Sequence, residues 1–153
     1  MAELIERNGA RFYSRAAEIF KDDASINEFL NELSSWEKEH EATFRSMKEK
    51  LAGSSAMPTF MGPEDEVLAY LRALADGRVF DVRVDPSEKL KGDESIEDIL
   101  HTAIGLEKDS IVFYIGMKKL VPDRLGRDQL DDIIKEEMRH ISILSDKLGS
   151  FKG

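Results

Sequence analysis

The chain has 153 residues, no cysteine, and 22 Lys plus Arg against 31 Asp plus Glu, a formal net charge of −9. That length suits one domain with its own core. The absence of cysteine excludes a disulfide framework, a thiolate zinc or iron–sulfur site and thiol catalysis, and the acidic balance argues against nucleic acid and anionic membrane surfaces as partners. No apolar run approaches the roughly 20 residues needed to cross a bilayer. The opening MAELIERNGARFY places acids and an Arg where a signal peptide would be apolar. The expectation is a soluble cytoplasmic protein.

Residues 2–21 read as a first helix with no Pro inside it, broken by Asp22-Asp23-Ala24-Ser25. Ser25-Ile26-Asn27-Glu28 has the capping-box pattern, and a second helix is expected over 26–52. Its apolar residues Phe29, Leu30, Leu33, Trp36, Phe44, Met47 and Leu51 recur at helical spacing. Pro63 opens a short helix over 63–75, and 76–94 is an irregular connector in which Val79, Val82 and Val84 could make an extended piece. Ser95 caps a third long helix over 95–120; Pro122 ends that region; a fourth long helix runs over about 125–148, with Gly149 as its stop. The expected fold is all-α, a four-helix bundle of two helical hairpins with one long crossover between the second and third long helices.

An internal repeat gives this fold a chemical content. Ile5-Glu6-Arg7-Asn8-Gly9-Ala10-Arg11-Phe12-Tyr13 aligns with Leu106-Glu107-Lys108-Asp109-Ser110-Ile111-Val112-Phe113-Tyr114 at an offset of 101, with Glu, Phe and Tyr identical. Glu37-Lys38-Glu39-His40 aligns with Glu137-Met138-Arg139-His140 at an offset of 100, and Leu30 and Leu33 meet Leu130 and Ile133. Each half thus carries a Glu and, 31 or 30 residues later, a Glu-x-x-His.

Residues three apart on a helix share a face. Glu37 with His40, and Glu137 with His140, can each aim a carboxylate and an imidazole at one point, while Glu6 and Glu107 come from the other two helices. Four carboxylates and two imidazoles form a donor set suited to iron or manganese. Without cations such a cluster would repel itself and take up protons. Gly9 and Ala10 leave room beside Glu6, and Ser110 does so beside Glu107. Tyr13 and Tyr114, seven residues after each Glu, return to nearly the same face, where a phenol could donate to a carboxylate.

His101 has Asp98 at minus three and no repeat partner, and is read as a non-ligand. Trp36, Met47, Met117 and Met138 are read as packing side chains. Glu39 and Glu136 are read as solvated; Glu41 could reach the edge of the site. Glu136 could replace Glu137 on spacing alone, but the match to Glu37 and His40 selects Glu137.

With these residues in place, the chain resembles the ferritin-like di-iron carboxylate superfamily, and most of all its rubrerythrin-related branch. The resemblance spans nearly the whole chain and rests on Glu6, Glu37-x-x-His40, Glu107, Glu137-x-x-His140 and the two Phe-Tyr pairs. It implies two irons per chain bridged by Glu37 and Glu137, one completed by Glu6 and His40 and the other by Glu107 and His140, with manganese or zinc as possible occupants. It also implies a homodimer, and reduction of hydrogen peroxide or dioxygen by the di-ferrous pair.

Two departures stand out. Rubrerythrins carry a four-cysteine rubredoxin domain that this chain lacks, so electrons would come from a partner protein. They also carry a carboxylate three residues after the third-helix Glu, where this chain has Ser110. The competing expectations are a ferroxidase or iron-binding and storage role without turnover, and a metal-free interaction bundle.

Overall fold

The computed structural model describes residues 1–53, 64–75, 83–121, 123 and 126–151. Its elements are helix α1 (Ala2–Ile19), α2 (Ala24–Gly53), α3 (Glu64–Ala75), a 3-10 turn (Pro86–Lys89), α4 (Ile96–Lys118) and α5 (Arg127–Ser150). The chain is all-helical among the described residues, which include no strand. None of these helices is long and apolar enough to cross a membrane.

Local chemistry sets the helix ends. The Ser25–Glu28 capping box does not form. Instead α2 begins two residues earlier, at Ala24, and Asp23 accepts from the Ile26 amide at 3.0 Å. An Asp side chain in this place satisfies one of the free amides of the first turn as well as a Ser does. At α4 the box is complete: Ser95 Oγ accepts from the Asp98 amide, and the Asp98 carboxylate accepts from the Ser95 amide. Gly149 does not stop α5, which runs on to Ser150. Gly126 takes a left-handed conformation, at φ 114°, just before α5 begins. Pro63, Val79, Val82 and Pro122 lie outside the described residues, and Val84 is in a bend.

Helix α1 packs along α2, and α4 packs along α5; the two pairs meet where α1 touches α4 and α2 touches α5. The hydroxyl of Ser34 donates to the Ala10 carbonyl at 2.9 Å, showing how closely α1 and α2 approach. Helix α3 lies on α4, where Tyr70 and Leu71 fill the space that Gly116 leaves open. The end of the long connection is tied to α1: Arg11 pairs with Asp85 at 3.1 Å, and Asn8 donates to the Val84 carbonyl.

The interior has two apolar clusters. One contains Ala2, Phe44, Ile111, Tyr114 and Ile134; the other contains Tyr13, Leu33, Ala103 and Leu144. Reading along the four long helices, each passes from one cluster to the other, and in each the change falls around a buried Glu: Glu6 in α1, Glu37 in α2, Glu107 in α4 and Glu137 in α5. A polar layer therefore crosses the middle of the protein, with apolar packing above and below it. Met47 and Met117 join this packing, whereas Met138 is 52% exposed and does not.

Candidate metal centre

All six residues singled out by the repeat lie in that layer, and all six are buried. Glu6 and Glu137 are fully enclosed. They fall into two groups of possible ligand atoms, each within 4.8 Å of one another: Glu6, Glu37, His40 and Glu137; and Glu37, Glu107, Glu137 and His140. Glu37 and Glu137 are common to both. The i, i+3 spacing places His140 Nδ1 2.9 Å from Glu137 Oε2, and Glu137 Oε1 lies 3.1 Å from His40 Nδ1 across the α2–α5 interface. The two imidazole rings face each other at 5.5 Å and 19°.

Buried charge governs the protonation of this layer. Burial, reinforced by Glu107, Glu6 and Glu137, pushes the Glu37 carboxyl well above the usual range. Burial also raises Glu107, against the opposing pull of His140, to about 7. Glu137 goes the other way: burial raises it, but the approach of His140 and His40 outweighs this and holds it low. The histidines answer in kind. Burial disfavours the imidazolium, yet neighbouring Glu137 and Glu6 lift His40 to about 11, and Glu107 and Glu137 lift His140 to about 9. In the metal-free protein, imidazolium protons and a protonated carboxyl do the neutralising that cations would do.

The test of fit for a metal lies in the unsatisfied atoms. Glu6 Oε2, Glu37 Oε1, His40 Nδ1, both oxygens of Glu137 and His140 Nδ1 are buried without a hydrogen-bond partner. Their contacts are ion pairs with one another: His40 Nδ1 with Glu6 Oε2 at 3.4 Å and Glu137 Oε1 at 3.1 Å, and His140 Nδ1 with Glu37 Oε1 at 3.4 Å and Glu137 Oε2 at 2.9 Å. All belong to the six residues, and the donors are carboxylate oxygen and imidazole nitrogen, a set that hard and borderline divalent cations accept. These residues fit a metal.

Two other oxygens of the layer are held from outside it. Tyr13 donates to Glu107 Oε1 at 2.5 Å, and Tyr114 donates to Glu6 Oε1. Burial first, then the adjacent carboxylates, raises both phenols well above their ordinary value, so both remain donors. Gly9 has a sharper role than room beside Glu6: a Cβ there would lie 2.7 Å from Glu37 Oε2. Ser110 turns its hydroxyl back to the Leu106 carbonyl of its own helix.

Other expectations divide. His101 is exposed, away from the layer. Glu41 does not reach the site; it pairs with Arg7 at 2.8 Å and Arg45 at 2.7 Å. Two neighbours went unrecognised. Glu136, read as merely solvated, contacts the outer nitrogen of His40 at 2.7 Å. Trp36, read as packing alone, also stacks on His140 at 5.1 Å and 12°. Both stand immediately before a Glu of the Glu-x-x-His motif, and that shared position was the available signal.

No family model and no solved structure matches the chain. It is similar to an uncharacterized protein of Archaeoglobus fulgidus, 41% identical over 54 residues, a stretch that covers 35% of this chain and 84% of the archaeal protein. The chain belongs to one family with that protein.

Proposed function

We propose that the four long helices are a ferritin-like four-helix bundle of the rubrerythrin-related kind. In this reading the polar layer holds two iron ions, and the protein reduces hydrogen peroxide or dioxygen with electrons from a partner protein. The observation that carries this reading is the pairing of two ligand groups that share Glu37 and Glu137, with buried oxygen and nitrogen atoms in both that make no hydrogen bond. Glu6 and His40 would complete one position, and Glu107 and His140 the other. A homodimer and a cytoplasmic location belong to the same proposal.

Two ferrous ions, when bound, supply together the two electrons that convert hydrogen peroxide to water. The chain's own residues do the rest. Glu37 and Glu137 set the spacing of the two positions. Tyr13 and Tyr114 fix one oxygen each of Glu107 and Glu6, so that these carboxylates hold one orientation. The apolar clusters on either side keep bulk water from the layer.

A second reading, oxidation or holding of iron without catalytic turnover, is favoured by Ser110. It stands where the rubrerythrin pattern has a further carboxylate, and its hydroxyl is occupied by its own helix.

An anaerobic Fe(II) titration of the metal-free protein, followed by peroxide or air with the visible spectrum recorded, tests both. Saturation near two irons per chain, with oxidation faster by peroxide than by air and repeatable on adding reductant, supports the peroxidase reading. A single oxidation followed by retention or release of ferric iron supports the second. Failure to bind iron removes both.

A further inference from the structure

The two halves of the site differ at one repeated position. At the offset of 100 that relates the Glu-x-x-His motifs, Trp36 corresponds to Glu136. Each reaches the histidine of the other half. Glu136 Oε2 lies 2.7 Å from His40 Nε2, the nitrogen that points away from the ligand cluster, while the Glu136 side chain is 56% exposed. Trp36 instead lays its ring on that of His140. Its indole has a donor N–H and no acceptor atom. Outside it, the Arg139 guanidinium lies 5.9 Å from the ring centroid. Trp36, Glu39, Glu136, Arg139 and His140 line a surface cavity of about 160 Å³ at this place.

An imidazole that ligates through one nitrogen carries its proton on the other, and the acceptor of that proton fixes both tautomer and ring orientation. His40 has a carboxylate in that role. At the matching place over His140 stands an aromatic face. We propose that Glu136 is a positioning residue for His40 and makes the two metal positions unequal: the Glu6–His40 position fills first, and the Glu107–His140 position, beneath Trp36, fills second. This rests on the two-ion reading above.

The test is a Co(II) titration of the full metal-free chain at neutral pH, followed by the cobalt visible bands, with Glu136→Gln and Glu136→Leu compared to the parent. Both variants remove the same charge, but only Gln keeps an acceptor oxygen. The parent should take up two ions in two resolved steps. Glu136→Leu should weaken the tighter step by about 10–100-fold, the usual loss when a ligand histidine loses its outer partner, and so merge the two steps. Glu136→Gln should stay close to the parent. Glu6→Gln should remove the tighter step and Glu107→Gln the weaker.

Thermal unfolding of the metal-free protein should change little in Glu136→Gln and fall modestly in Glu136→Leu, which takes a half-exposed partner from buried His40; Glu136→Ala replaces Glu136→Leu if the latter does not fold. Two ions bound in a single step by the parent, equal behaviour of the Gln and Leu variants, or loss of the tighter step in Glu107→Gln rather than Glu6→Gln would overturn the inference and leave the two-ion reading standing. A parent that binds fewer than two ions overturns both.

Discussion

Tyr13 donates its phenol to Glu107, on the far helix pair, and not to Glu6 seven residues before it on its own helix. Tyr114 returns the arrangement by donating to Glu6. The two tyrosines come from opposite apolar clusters, so the polar layer is fastened from above and below. Each bond also ties α1 to α4, one of the two places where the α1–α2 and α4–α5 pairs touch.

Tyr13→Phe and Tyr114→Phe keep the ring and remove only the hydroxyl. A hydrogen bond to a charged partner contributes about 1.5–3 kcal/mol, and the carboxylate left behind is buried. Each variant should therefore unfold at lower urea concentration than the parent. Each should also bind metal about 10–100-fold more weakly, since the released carboxylate no longer holds one orientation. Urea unfolding of the metal-free forms and a metal titration read the two effects separately. Unchanged affinity in both variants would show that the phenols serve only the fold.

Gly9 offers a case where stability and binding should part. A glycine inside a helix costs up to about 1 kcal/mol relative to alanine. The Cβ of Gly9→Ala would meet Glu37 Oε2 at 2.7 Å, and that oxygen is the free end of a flexible side chain. The carboxylate can swing away, so the metal-free protein should be as stable as the parent or slightly more so. Glu37 would then no longer stand between the two ligand groups it belongs to, and on the proposed two-ion reading metal binding should weaken for both ions. A variant that loses metal affinity while its melting temperature holds or rises confirms this role for Gly9.

The reach of the sequence can be judged from these same residues. The six ligand candidates were legible because the repeat sets two weak motifs in register. Helical spacing then turns them inward, and all six are buried in one layer. The tyrosines were legible as donors, but their crossing was not. Spacing along one helix says which face a side chain shares and nothing of how far a long phenol reaches across to another helix. Glu136 and Glu41 show the same limit in opposite directions. Both are acids beside the motif; one touches His40 and the other is taken by two arginines. Their fates depend on how α2, α5 and α1 pack, which no local pattern encodes. The helix cap at Asp23 was missed because several residues there can cap, and only the backbone path selects one.

The metal-free protein should lose stability as pH rises above neutral. His40 and His140 have folded values near 11 and 9, above the ordinary value of 6.5. The folded state therefore holds protons that the unfolded chain has released. Their contribution is full below about pH 6.5 and is lost as pH climbs through 9 and then 11. Glu37 and Glu107, also raised, act in the same direction. Glu137, lowered, contributes above its ordinary value of 4.5 and loses that contribution only in acid. Melting temperatures recorded from pH 7 to pH 10 should fall for the metal-free protein. They should fall less for the metal-loaded one, whose imidazoles are bound in neutral form. In His140→Gln the part of the fall centred near pH 9 should disappear.

On the proposed two-ion reading, Glu37 and Glu137 are alike toward metal and unlike without it. Each belongs to both ligand groups, so Glu37→Gln and Glu137→Gln should reduce the affinity for both ions, whereas Glu6→Gln and Glu107→Gln should each reduce it for one. In the metal-free protein, burial holds Glu37 toward its protonated form, and Gln reproduces that neutral, hydrogen-bearing shape at nearly the same volume. Glu137 is held ionised between the two imidazoles, 3.1 Å from His40 and 2.9 Å from His140. Removing its charge leaves buried cations short of a partner, a change that typically costs about 3–5 kcal/mol when a buried pair is broken. Glu37→Gln should therefore unfold near the parent midpoint and Glu137→Gln well below it, while calorimetric metal titration finds both equally impaired. If the two variants were equally destabilised without metal, the unequal charge assigned to these two carboxylates would be wrong.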